Sequence, residues 1–356
     1  LADIDHEHCG MAMIMSNPRK VSWSRREFLT KVGLAGTATI LGMTTEAVGA
    51  EQPLETTTLK IIYDPEIPGI CYAAQYMAEE LLRAEGFKNV RYVKLVERSE
   101  TKTLATGQAD ISASFGAELL VALDNGSPIT VLSGLHIGCQ ELVGTDRVKS
   151  VRDLRGKTIA ITEFGGSDHT LISIILAYVG LDPRKDVKWA IHNPADWAKL
   201  LAEKKVDALL VFPPDSQGLR AQKVGRVIMD STTDKPWSQY FCCMLAANRS
   251  FVQKHPVATK RAMRAIFKAN EICATEPERA AKFLTERGFV SRYEHAIQTL
   301  REIPYAKMLT YDPESTLRFY ALRLRDVGMI KTSPNALIAK AGDWRFLREL
   351  RKELKA

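Results

Sequence analysis

The residues of this chain best suited to chemistry sit where a predicted strand hands over to a predicted helix. Four such junctions stand out: Asp64–Tyr72, Ser114–Glu118, Phe164–His169 and Phe212–Asp215. In an open α/β sheet, ligands collect beyond the carboxyl ends of the strands, where the first N–H groups of a helix lack partners. Gly165-Gly166-Ser167 is the most suggestive stretch. Its two glycines let backbone approach a ligand, and Ser167 can donate a hydrogen bond. Ser167 or Asp168 serving simply as the helix N-cap is the competing reading, and both stand. His169 follows on the first turn of the same helix. The expected ligand contacts are therefore Asp64, Gly69, Tyr72, Ser114, Phe115, Glu118, Gly166, Ser167, Asp168, His169, Phe212 and Asp215. His136 joins them, as do Trp237 and Tyr240, which either stack on a ligand ring or close a core.

The sequence contains no G-x-S-x-G elbow, Walker loop, H-E-x-x-H, or G-x-G-x-x-G after a strand, so no catalytic residue is assigned. His136, Cys139, Glu141, His169 and His192 are the residues a metal would use, but their spacing matches no ligand pattern. No metal and no cofactor is expected. Cys71, Cys139, Cys242, Cys243 and Cys273 read as small buried apolar residues, with the adjacent Cys242-Cys243 open to disulfide formation.

The elements that must position these residues alternate. Strands are predicted at Leu59–Tyr63, Val90–Val96, Asp110–Ser114, Ile129–Leu135, Lys157–Ile161, Val187–Ile191 and Ala208–Phe212. Helices are predicted at Ile70–Glu85, Thr101–Thr106, from Phe115 to Leu123, from Asp168 to Val179 and over Pro194–Glu203, with a short capped turn at Ser150–Gly156. This alternation predicts an α/β fold of two units with mainly parallel sheets. From Arg249 the pattern turns almost wholly helical, through Thr275, Pro277–Arg287, Arg292–Glu302, Pro313–Val327 and a basic stretch Trp344–Lys355. That tail is expected to pack on the first unit.

The formal net charge of +7 is scattered rather than striped, and no nucleic-acid reading module is present, so no nucleic-acid partner is expected. Near the start, Arg25-Arg26 precede Phe28-Leu29, a soft apolar run Val32–Met43, and the small-residue pattern Val48-Gly49-Ala50. This resembles a twin-arginine export signal, and residues 1–50 are set aside as signal peptide and leader. The apolar run is too short to span a bilayer. A periplasmic destination is the expectation.

Read in order, further steps accumulate: Thr106-Gly107-Gln108-Ala109-Asp110-Ile111, Asn125-Gly126-Ser127-Pro128-Ile129, Ser150-Val151-Arg152-Asp153-Leu154-Arg155-Gly156-Lys157, Lys205-Val206-Asp207-Ala208, and Phe251-Val252-Gln253-Lys254-His255-Pro256. Over roughly residues 57–290 the set resembles the substrate-binding proteins of nitrate/sulfonate/taurine-type ABC transporters, a superfamily shared with thiamine-pyrimidine synthase. The resemblance implies a two-lobe periplasmic-binding-protein fold of type II with additional C-terminal helices. Lobe one would comprise 55–141 plus 246–356 and lobe two 142–245, with crossings near Gln140–Gly144 and Phe241–Ala246. It implies a monomer that captures a small molecule by domain closure and hands it to an ABC permease and ATPase in the inner membrane. The synthases carry a lysine that holds pyridoxal phosphate and a nearby histidine. Ser114 and Glu118 fall at those positions, and only Cys242-Cys243 echoes the synthases' cysteine run, so a synthase-like enzyme is the lesser alternative, beside a periplasmic sensor or adaptor. With Asp64, Glu66, Glu118, Asp168 and Asp215 at the junctions, the expected ligand is a neutral or weakly basic organic molecule such as a pyrimidine, rather than a simple anion.

Overall fold

The computed structural model describes residues 51–63 and 70–354. The twin-arginine stretch and the Asp64–Gly69 turn lie outside them. Gln52–Ala356 forms one compact unit. Its ten strands are β1 (Thr58–Ile62), β2 (Asn89–Val93), β3 (Ile111–Phe115), β4 (Ile129–Ile137), β5 (Glu141–Gly144), β6 (Thr158–Ile161), β7 (Lys188–Ile191), β8 (Ala208–Val211), β9 (Arg226–Asp230) and β10 (Phe241–Asn248). The helices are α1 (Ala73–Met77), α2 (Glu79–Ala84), α3 (Glu100–Ala105), α4 (Gly116–Asp124), α5 (Ser167–Tyr178), α6 (Trp197–Ala202), α7 (Asp215–Gln222), α8 (Arg249–Lys254), α9 (Pro256–Thr275), α10 (Pro277–Glu286), α11 (Tyr293–Glu302), α12 (Pro313–Asp326), α13 (Pro334–Ala341) and α14 (Arg345–Glu353).

The strands form two five-stranded sheets, in the orders β2-β1-β3-β10-β4 and β7-β6-β8-β5-β9. The expectation of mainly parallel sheets needs correcting, because both are mixed. β1 pairs in parallel with β2 and β3, but β10 runs antiparallel between β3 and β4. Likewise β6 pairs in parallel with β7 and β8, while β5 runs antiparallel to β8 and β9. In each sheet the antiparallel strand is the one that arrives from the other sheet. Phe241–Ala246, expected as a crossing, lies inside β10, so the return from the second sheet is complete by Phe241. Every residue of β10 is buried, and a continuous run such as Phe-Cys-Cys-Met-Leu-Ala-Ala carries no period to announce a strand.

Side-chain alternation shows how the sheets are buried. In β8, Leu209 and Val211 join a small outer cluster with Trp197 and Leu201, whereas Ala208 and Leu210 join the main core. That period of two is what an extended chain between two layers requires. The two aspartate steps of the sequence have matching structural roles. Asp110 accepts a hydrogen bond from the Lys60 N–H (2.8 Å), and Asp207 accepts one from the Thr158 N–H (3.0 Å). Each carboxylate ties a strand to the start of its parallel neighbour.

The single helix expected over 70–85 is instead a 3-10 turn, Ile70–Tyr72, followed by α1 and α2, which meet at Ala78. The C-terminal helices begin where their caps predict. Proline opens α9, α10, α12 and α13, where a missing N–H costs nothing. Asp312 caps α12 through the Ser315 N–H (3.0 Å). These helices pack on the first sheet and its helices, α9 against α1 and α2, and α12 against α4. No helix among the described residues is long and apolar enough to cross a membrane.

Candidate functional site

The two sheets are joined by short crossings that run side by side. After β4 the chain passes through Gly138, Cys139 and Gln140; after β9 it returns through 231–240. The Cys139 N–H donates to Thr232 Oγ1 (3.1 Å) and the Gln140 N–H to Ser231 Oγ (2.8 Å). Ser231 N–H returns a bond to the Gln140 carbonyl (2.9 Å). Away from this double crossing, α4 packs against α5, and α12 touches both. The N-termini of α4 and α5 thus belong to opposite sheets and approach one another.

Glu118 stands on the first turn of α4, half-buried. Burial raises its carboxyl well above the usual range, and the charges of Glu100, Glu163 and Asp168 push it the same way. Glu100 begins α3 of the first sheet, whereas Glu163 and Asp168 flank the turn into α5 of the second. Four carboxylates from both sheets therefore share one field. Tyr72 enters the same region, and its hydroxyl donates to Glu100 Oε1 (3.3 Å). Burial raises the phenol well above its ordinary value, with Glu100 adding to the effect.

The Gly-Gly-Ser turn resolves one open question. Gly166, not Ser167 or Asp168, is the N-cap of α5, and no side chain caps it. Asp168 turns back instead, accepting from the N–H groups of Thr162 (2.5 Å) and His169 (2.7 Å). Burial raises its carboxyl in spite of these bonds. His169 accepts from the Gly165 N–H at Nδ1 (3.1 Å) and packs edge-on against Phe164 and Trp189. Burial lowers its pKa and favours the neutral ring. Phe164 itself is 61 % exposed at this turn.

Other expected contacts are placed differently. Phe115 is buried against Tyr320 (5.4 Å between centroids), and the buried Ser114 hydroxyl has no partner. Trp237 packs edge-on against Tyr178 and Phe319, and Tyr240 stacks on Phe319 at 4.0 Å. Their rings close a core between the return crossing, α5 and α12. Phe212 is half-buried after β8, and Asp215 is exposed on the first turn of α7, where the charge of His295 reaches it from α11. On that same side, Arg220 of α7 makes a two-pronged contact with Glu302 of α11 (2.8 and 2.7 Å) and a further one with Glu141. Burial raises Glu141 to about 7 even with Arg220 beside it.

His136 and Cys139, two of the residues weighed for a metal, come together with partners not foreseen. Ligand-type atoms of Cys71, His136, Cys139 and Cys243 all lie within 4.8 Å of one another, and all four residues are buried. Glu141 is engaged by Arg220 and His169 by the Gly165 turn. Burial opposes charge on His136, but Cys243 and Cys71 more than offset it, raising the imidazole to about 10. Glu100, Glu163, Cys71 and Cys243 were missed as site residues. Only the twin cysteines gave a signal.

The chain's residues 98–285 match the sequence model of the NMT1-like family. No curated protein matches it. Among solved structures it resembles the periplasmic nitrate-binding protein NrtA from Synechocystis PCC 6803, with a TM-score of 0.72 at 18 % identity over 85 % of this chain and 90 % of that one. A putative periplasmic sulfonate-binding protein, SsuA from Methylobacillus flagellatus KT, gives 0.64 at 18 % identity over 85 % and 96 %. The desulfurization enzyme DszB gives 0.57 at 16 % identity over 83 % and 99 %. At these identities the likeness is one of fold, two mixed sheets with flanking helices as in periplasmic binding proteins. The family match spans more than half of the sequence, and on that ground the chain belongs to the NMT1-like family.

Proposed function

We propose that this protein is the solute-binding component of an ABC importer, taking a small organic molecule with a basic nitrogen into the cleft between the two sheets. The observation that carries the ligand class is the convergence of Glu100, Glu118, Glu163 and Asp168, two from each sheet. A carboxylate group of this kind is costly to desolvate on its own, and a protonated or hydrogen-bond-donating ligand offsets that cost most where the two sides meet. The uncapped N-terminus of α5 offers backbone N–H groups to an acceptor on the same molecule. Two lobes follow the two sheets, the C-terminal helices go with the first, and the paired crossings serve as the hinge.

The reading extends to place and partners. The twin-arginine pattern supports export to the periplasm, and the fold likeness to NrtA and SsuA supports handover to a membrane permease with its ATPase. DszB shows that the same fold can host an enzyme. Binding rather than catalysis is favoured here because Ser114, at the position of the synthase lysine, has no amine with which to hold pyridoxal phosphate. A thermal-shift screen of the mature chain tests the proposal. Small heteroaromatic bases and amines are expected to raise the melting temperature by several degrees, since a ligand at 100 times its Kd adds ~2.7 kcal/mol. Stabilisation by nitrate or taurine alone would overturn the ligand class.

A further inference from the structure

The cysteines and the histidine beneath the cleft form a second cluster that solute capture does not use. Cys71 comes from the 3-10 turn before α1, His136 from the end of β4, Cys139 from the first crossing, and Cys243 from β10 just after the second. Cys243 and His136 are cross-strand partners in the β10–β4 ladder, which brings their side chains together. Cys139 reaches the group from an unusual backbone conformation. Its φ is +93° directly after Gly138 at +72°, a region that non-glycine residues rarely adopt. Such strain persists only where the surroundings hold it in place.

Ordinary core packing explains the cysteines but not the histidine. His136 is fully buried, and one ring nitrogen, Nδ1, faces the Ile137 carbonyl at 3.3 Å. A carbonyl only accepts, so Nδ1 carries the proton. Nε2 is left buried and without a hydrogen-bond partner. That is the arrangement of metal-binding histidines, whose second nitrogen is anchored to a carbonyl or carboxylate. Further groups brace the set. Tyr305 lies edge-on to the His136 ring at 5.6 Å, and its hydroxyl donates to the Ile70 carbonyl (3.3 Å), steadying the turn that carries Cys71.

We propose that Cys71, His136, Cys139 and Cys243 form a Cys3His site for zinc(II), placed so that the metal fastens the first crossing, through Cys139, to the first sheet. Three thiolates and one imidazole make up a recognised tetrahedral donor set for zinc. With Zn–S bonds near 2.3 Å, sulfur atoms in such a site stand about 3.8 Å apart. All four ligand atoms lie within 4.8 Å of one another, so closure on the ion needs side-chain shifts of no more than about 1 Å. When the metal binds, the three thiols and the imidazole together release three protons to solvent, whichever of them holds the shared one, and the ring ligates through Nε2 in its neutral form. The bound site carries one net negative charge, and the metal replaces hydrogen bonds that the orphaned Nε2 lacks.

The competing chemistry is a disulfide. Cys242 Sγ lies 3.4 Å from Cys139 Sγ, outside the four-ligand group but close enough to compete for one of its members. The test therefore uses the full chain purified under reducing conditions, loaded with zinc, desalted and assayed for metal by mass spectrometry. Cobalt(II) is used as a spectroscopic replacement. About one zinc per chain is expected, with cobalt giving tetrahedral d–d bands and intense thiolate-to-cobalt absorption. Cys242→Ser and Cys273→Ser should retain the metal, while Cys243→Ser and His136→Asn should bring the ratio close to zero. Should those two variants fail to fold, the cobalt spectrum of the unaltered chain decides alone. Two results would overturn the proposal: a reduced chain that keeps no zinc, or cobalt bound without thiolate absorption. A Cys139–Cys242 disulfide that forms in the zinc-loaded chain would do the same.

Discussion

The proposed cleft and the proposed metal pocket both reach Tyr72, yet they hold titratable groups in opposite ways. In the cleft the donors are carboxylate oxygens on helix ends, Glu118 half-buried and Glu163 exposed, and they come from both sheets. In the pocket they are three sulfurs and a ring nitrogen, all buried, from segments that belong to the first sheet or lead into and out of it. The carboxylate group crowds like charges beside a turn that is partly exposed. The pocket gathers soft donors that are all buried. The difference teaches that burial, more than residue type, decides the partner: an open acidic group favours an exchangeable ligand, while a sealed thiol group favours a permanent one.

The largest expected effect breaks the comparison at its backbone. Gly138 and Gly165 both have positive φ, +72° and +85°, one in the hinge and one at the cleft mouth. A Cβ at Gly138 would stand 2.6 Å from the Thr232 Cα, a backbone atom that cannot swing aside, whereas one at Gly165 would meet nothing within 4 Å. Gly138→Val should cost about 4 kcal/mol or more, from overpacking and backbone strain together. Gly165→Ala should cost only about 1 kcal/mol. Urea unfolding of the two variants checks this. Equal costs would mean that the hinge is no more tightly determined than the cleft mouth.

Next in size is the ion-pair group around Arg220. Arg220 holds Glu302 on α11 and the buried Glu141 at the start of β5. Removing it leaves Glu141 desolvated with no nearby cation, the situation in which a broken buried pair costs ~3 kcal/mol. Arg220→Met should therefore destabilise by about that much, and adding Glu141→Gln should restore roughly half. If the double variant is no better than the single one, the Glu302 contact carries the effect and Glu141 is incidental.

Much of this frame was legible before any coordinates. The strands β1, β3, β6 and β8 are apolar runs bounded by turn residues, and the prolines at helix starts mark the C-terminal helices closely. The strands β5, β9 and β10 were not, and the reversed direction of β5 and β10 depends on which sheet the chain has just left, a long-range fact that local periodicity does not encode. Of the residues gathered around the proposed cleft, Glu118, Asp168 and Tyr72 are ones the junction argument named. Trp237 and Tyr240 were equally balanced between ligand and core, and their stacking on Phe319 is visible only once α12 is in place. The thiol group was invisible because its four members are spread from position 71 to position 243. Zinc spacing rules work for ligands on one hairpin or one helix, not for ligands assembled by a hinge.

The smallest effect sharpens the cleft side. Burial first, and then Glu100, Glu163 and Asp168, raise the Glu118 carboxyl. A carboxyl whose pKa is raised by folding stabilises the protein fully below its unfolded value, near 4.5, and loses that contribution as pH rises through the folded value. At neutral pH the ionised Glu118 is therefore a cost that the ligand-free protein bears. Glu118→Gln should raise the melting temperature of the empty protein at pH 7 and flatten the fall in stability between acid and neutral pH. The same change should weaken a protonated amine ligand by about tenfold, ~1.4 kcal/mol. The two readouts must move in opposite directions for the cleft to be a place where charge is kept for a solute. A variant that loses stability instead would make Glu118 a structural carboxylate, and the cleft would then resemble the pocket, a group satisfied by its own protein.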